Sequence, residues 1–336
     1  GAGIYIAGEA TNITIGDVDA PNVISGNADM GIHFQDTGSG TITLPGNYIG
    51  VNAAGDTAIG NGSGKSGVWV QGGTRTITFG DSTQTSPSTV ISGNLDRGIR
   101  IEASEIGSVV SVYGAIIGLS AAQDADLGNT GVGIDGLNSA DIVGNTRTQG
   151  FNVIAGNGGN GINSSGTSTI RGNFIGVNSA ESSEFGNDGT AINVAGAAGI
   201  GGDAAGQGNV IGGTSGGEQI AVTGTASGAQ IAGNYVGVFT NGTAITNTAR
   251  GIKDSGTNTL IGLATGSGRN YWGNMTGQGM VAIDIDNASG TIVVNNWIGV
   301  KPDGTSMGAT KGGNHGIAVE NGATNVTIGG AADAAR

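Results

Sequence analysis

The sequence predicts an all-β chain, a right-handed parallel β-helix (a β-solenoid) of about ten three-strand coils in alternating short and long steps, with residues 1–336 as a single domain. Three observations predict it. A six-residue phrase, first met as Asn22-Val-Ile-Ser-Gly-Asn27, recurs with its first residue at Asn22, Asn47, Thr89, Ala115, Asn152, Asn173, Asn209, Asn234, Asn270 and Asn296. The intervals are 25, 42, 26, 37, 21, 36, 25, 36 and 26 residues, so short and long steps alternate and the true unit is a pair of coils. A period in this range marks a solenoid, propeller or array. Finally, the apolar residues fall in short β-branched runs bounded by Gly, Asn and Ser, which read as strands, and no helical periodicity of useful length is present.

Each coil carries three such runs. The first is rich in Thr and Asn, as in Asn12-Ile-Thr-Ile-Gly16 and Thr76-Ile-Thr-Phe-Gly80. The second is the Asn phrase, whose third position is almost always Ile and so faces inward; period-2 alternation turns the first position inward as well. Eight of the ten residues there are Asn (Asn22, Asn47, Asn152, Asn173, Asn209, Asn234, Asn270 and Asn296), and stacked amides can pass hydrogen bonds along the axis, which predicts a structural ladder. The third run is Gly-Ile-x-Ile, as in Gly31-Ile-His-Phe34 and Gly98-Ile-Arg-Ile101. Long coils insert excursions between the second and third runs, at about 51–66, 119–130, 177–189, 238–250 and 300–315, and these are expected to align along one side. Short coils insert theirs between the first and second, as at 80–88 and 262–269. The strict six-residue step of a left-handed hexapeptide helix is absent, which favours the right-handed form.

Composition narrows the function. Gly and Pro together make 75 of 336 residues, but the glycines fall at repeated places, so the chain is ordered rather than of low complexity. A net charge of −13 with 12 Lys and Arg argues against nucleic acid and anionic membranes as partners. The absence of Cys removes disulfides and thiolate metal sites, and no apolar run is long enough to span a bilayer. The chain opens and closes in mid-repeat, which suggests a segment of a longer protein, with unpaired coil edges that template continuation of the chain or end-to-end self-association.

The phrase with its following Gly-Ile, together with Gly46-Asn-Tyr-Ile-Gly-Val-Asn-Ala-Ala-Gly-Asp-Thr-Ala-Ile-Gly-Asn61, resembles the right-handed β-helix repeats of large bacterial cell-surface and secreted, adhesin-like proteins. The resemblance spans the whole chain, with irregular phrases at Thr89, Ala115 and Asn270. It implies an extracellular or cell-surface location and a structural or adhesive role as a stalk or fibre module. The fold class also resembles polysaccharide lyases, glycoside hydrolases and phage tailspikes, so the alternative is a polysaccharide-acting enzyme. Such an enzyme needs convergent carboxylates. The best pair is Asp284 and Asp286, expected to point outward together. Arg250-Gly-Ile-Lys253 has the wrong spacing for the Arg-x-Lys of polygalacturonases, and no catalytic residue is assigned.

No cofactor is expected. Calcium is the one ion that acidic loops could take, at the Asp-x-Asp pairs Asp17/Asp19, Asp124/Asp126 and Asp284/Asp286, but no EF-hand or nonapeptide motif supports it. His33 and His315 are too far apart along the rod for a joint metal site.

Two outer columns are candidate contact surfaces. The second position of the phrase holds Tyr48, Ile116, Phe174, Tyr235 and Trp297 on long coils, either as an exposed apolar stripe or as a second core layer. In the third run the outward residue reads Tyr5, His33, Trp69, Arg100, Gly133 and onward, with Gln35, Gln71, Glu102 and Asp135 two residues later. Tyr5, His33, Trp69, Arg100, Gln35, Gln71 and Glu102 form a candidate glycan strip centred on Trp69, because flat rings beside planar hydrogen-bonding groups suit a surface polysaccharide.

Overall fold

The computed structural model describes residues 1–35, 38–62, 64–102, 107–138, 140–246, 249–275, 280–307 and 315–329. Its strands form three wholly parallel sheets of 11, 11 and 10 strands, each strand pairing with its equivalent one coil before and one coil after. The Gly-Ile-x-Ile runs make one sheet, the Thr-rich runs the second and the Asn phrases the third, wound into a solenoid of about ten turns. At about 4.8 Å per coil the rod is roughly 50 Å long. Among the described residues the only helical segment is a single 3-10 turn at Gly266–Gly268.

The interior is a thin apolar core repeated at every coil. The phrase's third position contributes Ile24, Ile49, Ile91, Ile117, Ile154, Ile175, Ile211 and Val236, with Trp272 at the ninth coil, all buried. Trp272 fits because its Nε1 donates to Asn296 Oδ1 at 2.9 Å. At the phrase's first position Asn152, Asn173, Asn209, Asn234 and Asn270 each donate from Nδ2 to the Oδ1 of the next coil's Asn at 2.9 to 3.1 Å. The same amides donate to backbone carbonyls at the bend before the phrase, such as Val112 and Ile170, so the chain's own turn is tied to the ladder. Asn22 and Asn47 form a separate rung at 3.2 Å; Thr89 and Ala115 interrupt the column.

A second ladder occupies the bend after the phrase. Asn27, Asn61, Asn94, Asn129, Asn157 and Asn187 are joined Nδ2 to Oδ1 at 2.8 to 2.9 Å through six successive coils. On short coils this residue is the phrase's sixth; on long coils it lies toward the end of the excursion, always after Gly. The second column runs through the coils where the first is broken.

The position of glycine within the phrase decides where the chain turns. Short coils read Ser/Ala/Gly-Gly, and the fifth-position glycines Gly26, Gly93, Gly156 and Gly213 have φ between 68° and 74°. Long coils move the left-handed residue one place earlier, to Gly50, Gly118, Gly176, Gly237 and Gly299, with φ from 71° to 102°. That shift launches the excursion, a tight loop closed by antiparallel bridges such as Val51 with Ala58 and Val177 with Glu184. Asn52, Ser120 and Asn178 cap the loops by accepting backbone N–H groups four residues on. Neighbouring excursions touch: Ala121 N donates to Gly55 O, Ser179 N to Gln123 Oε1 and Thr240 N to Glu181 Oε2. Residues 247–248 and 308–314, at the ends of two expected excursions, lie outside the described residues.

The excursions settle the second phrase position. Ile116 and Phe174 are buried in a satellite cluster with Val51, Leu119, Val177, Phe239 and Ile245 of the excursions, and Phe151 meets Phe174 edge-on at 5.4 Å. Over the middle coils this column is therefore a second core layer, and the exposed-stripe expectation does not hold there. Tyr48, Tyr235 and Trp297, nearer the ends, are half-buried.

Candidate functional site

The Gly-Ile-x-Ile sheet positions the strip by simple alternation: Ile32 and Phe34 face the core while His33 between them faces out. In-register pairing then stacks Tyr5, His33, Trp69 and Arg100 in one column. The next member is Asp135, opposite Arg100, and not Gly133. The sequence misleads at this coil because Gly131-Val-Gly-Ile134 also fits the pattern, two residues out of phase. Gly136 replaces the second inward residue with φ 91°, the register shifts between Ile134 and Leu137, and Leu137 fills the core instead. Asp135 thus belongs to the first outward column, not to the one holding Glu102.

The strip residues meet one another. The Tyr5 and His33 rings pack edge-on at 5.5 Å, and His33 and Trp69 stack at 4.9 Å with 10° between planes. The Arg100 guanidinium carbon lies 4.6 Å from the Trp69 ring centre. The adjacent column satisfies the first: Tyr5 OH donates to Gln35 Oε1 at 2.5 Å, His33 Nε2 lies 3.1 Å from Gln71 Oε1, and Arg100 pairs with Glu102 at 3.1 Å. His33 and Arg100 thus take up Trp69's contacts along the rod axis. His33 is buried, and Tyr5, 56% exposed, carries the open ring. Two buried polar atoms, Trp69 Nε1 and Glu102 Oε2, have no hydrogen-bond partner.

The carboxylate pair is placed differently from expectation. Asp284 is buried, with Arg250 Nε 3.4 Å from its Oδ2, and burial pushes its carboxyl above the ordinary carboxylate range against the pull of Arg250. Asp286 pairs with Lys253 Nζ at 2.8 Å and accepts Asn321 Nδ2 at 2.7 Å, which holds its pKa below that range. The two acids do not face an open space together, because the strand's neighbours cover one and bind the other.

The other Asp-x-Asp pairs hold their own loops. Asp17 Oδ1 accepts Asp19 N, Asp124 Oδ1 accepts Ser120 Oγ, and Asp126 Oδ1 accepts Gly128 N. Among the described residues no group of three or more His, Asp or Glu side chains is placed to hold a metal ion. No helix among them is long and apolar enough to cross a membrane. The second Asn ladder escaped the sequence reading, although a Gly-Asn step one coil apart on both coil types was its signal.

No family model matches the chain, and no curated protein matches it. Among solved structures it is similar to the Streptococcus pneumoniae surface protein and adhesin PfbA, at 10% identity over 98% of this chain and 90% of that one, with a TM-score of 0.29.

Proposed function

We propose that the chain is an extracellular structural and adhesive module: a β-helical rod that meets its partners, glycans among them, through its outer faces and carries out no reaction. The observation behind this reading is the closed interior. Two amide ladders and three stacked sheets carry hydrogen bonds from coil to coil, and the space between is packed with apolar side chains. Chemistry is left to the side faces, where loops and outward columns repeat at a fixed step. The pairing of Asp284 and Asp286 each with its own cation favours this reading over the polysaccharide-cleaving one.

The strip at Tyr5, His33, Trp69 and Arg100 is the first glycan contact to test. Glycan-array binding by the intact chain is expected to fall at least tenfold in Tyr5→Ala and in Trp69→Ala, with the far-UV CD spectrum unchanged. Retained binding in the double variant makes the strip ordinary surface. The self-association reading is tested by light scattering against concentration; a concentration-independent monomer counts against it.

A further inference from the structure

On the Asn-phrase sheet the second-position column ends in an aromatic stack that the excursions leave half-exposed. Tyr235 and Tyr271 lie face to face at 4.9 Å with 18° between planes, and Tyr271 meets Trp297 edge-on at 5.6 Å. An arginine closes each end: Arg147 lies 4.8 Å from the Tyr235 ring centre and Arg269 4.0 Å from that of Trp297. Neither arginine is free to swing. Arg147 Nη1 donates to Gly208 O at 2.5 Å, and Arg269 Nε donates to Asn295 Oδ1 at 3.0 Å.

The cations at this column differ from those beside the Gly-Ile-x-Ile sheet. Lys65, Arg97, Arg100, Arg250 and Lys253, all beside the Gly-Ile-x-Ile sheet, each have a carboxylate partner. Among the described residues Arg147 and Arg269 have none. Lys301, on the last excursion flanking the same sheet, likewise makes no close ion pair, though its charge acts on Asp303. The nearby acid Glu181 is engaged by Thr240 N and Oγ1, both at 2.7 Å. A guanidinium has five N–H donors in a fixed fork, and each arginine here uses only part of its fork on the protein. Since the Tyr faces are turned toward each other, the rim of the stack offers ring edges, hydroxyls and guanidinium N–H groups. The rings step one coil at a time with a guanidinium at each end, and that donor array matches a polymer with regularly repeated anionic oxygens.

We propose that the Tyr235–Tyr271–Trp297 stack with Arg147 and Arg269 binds an acidic polysaccharide laid along the rod, its carboxylate or sulfate groups held by the two arginines and its sugar edges by the aromatic rim. The proposal rests on the adhesive reading and assigns it a second, charge-selective face. Carboxylate and sulfate share this chemistry, so two probes separate them.

The test is calorimetric titration of the whole chain with polygalacturonate, with heparin, and with a neutral dextran, at 50 and 300 mM salt. Binding of at least one acidic polymer, at least tenfold tighter than dextran and weakened by salt, is expected. Arg147→Gln with Arg269→Gln should reduce it at least tenfold, Arg269→Lys alone should lose less than Arg269→Gln, and Lys65→Gln, the same loss of charge at a cation paired with Asp29, should leave it unchanged. Should the double variant unfold by CD, Tyr271→Ala and Lys301→Gln provide the readout. Unaltered acidic-polymer binding in the arginine variants, equal dextran affinity, or equal binding of single-stranded poly-dT overturns the proposal. If the chain binds array glycans through Tyr5 and Trp69 but no acidic polymer, this proposal fails alone; if it binds no glycan at all, the adhesive reading fails with it.

Discussion

At the scale of the residue, the amide columns are the most demanding interactions in the molecule. Asn209 accepts from Asn173 N and Nδ2 and donates to Ile170 O and Asn234 Oδ1. Asn209→Ala leaves those buried groups without partners, each costing about 1–3 kcal/mol unless water enters. Loss of on the order of 3 kcal/mol in chemical denaturation is expected, against much less for Asn22→Ala at an exposed first rung. Asp141 is a different case. It is buried, accepts Val110 N and Asn138 N at 2.8 Å, and burial raises its pKa despite those bonds. A carboxyl whose folded pKa is raised favours folding below its unfolded pKa and loses that contribution as pH rises through the folded one. Asp141→Asn removes the titration, so its melting temperature relative to the parent chain should be higher at pH 7 than at pH 3. An equal offset at both pH values contradicts the burial argument.

At the scale of the element, the excursions act as lids on the phrase sheet. Phe174→Ala should cost about 3–4 kcal/mol, since it opens a cavity beneath the excursion and removes the edge contact from Phe151. Gly176→Ala tests the launch point: an added Cβ would stand 1.9 Å from Gly212 O at φ 75°, and a loss above about 1 kcal/mol is expected. Much of this level was legible beforehand. The strand types, their order and the five excursions follow from apolar alternation and glycine spacing, which are local signals. The phase error at Gly133 and the buried Asp284 were not legible. Both depend on what the neighbouring coil places alongside: a bulge at Gly136 in one, the Arg250 side chain in the other. For the same reason sequence order showed that Tyr5, His33, Trp69 and Arg100 share a column, but not that their rings would stack on one another.

At the scale of the whole molecule, the alternation of coil lengths gives the rod two unlike edges flanking the phrase sheet, with long-coil excursions after it and short-coil loops before it. Each coil contacts mainly its neighbours, so stability is close to a sum of coil and interface contributions. Hydrogen exchange should accordingly report protection highest for the sheet amides of the central coils, such as Ile175 and Ile200, and decreasing toward both ends. Uniform protection along the rod would point instead to a single cooperative unit.

The direction of the sheet hydrogen bonds carries a mechanical consequence. They run from coil to coil, along the axis, so a pull applied between the two ends loads them one layer at a time, as in opening a zip, rather than all layers together in shear. The rod should yield in a train of small, low-force events instead of one large rupture. Each event frees one coil, and coils contain 21–26 or 36–42 residues in turn. At about 3.4 Å per extended residue, the contour length should grow in alternating increments of roughly 70–90 Å and roughly 120–140 Å. Force spectroscopy would then show the short-long rhythm of the sequence as a rhythm in extension, the signature of a tether that dissipates load gradually while the remaining coils stay wound.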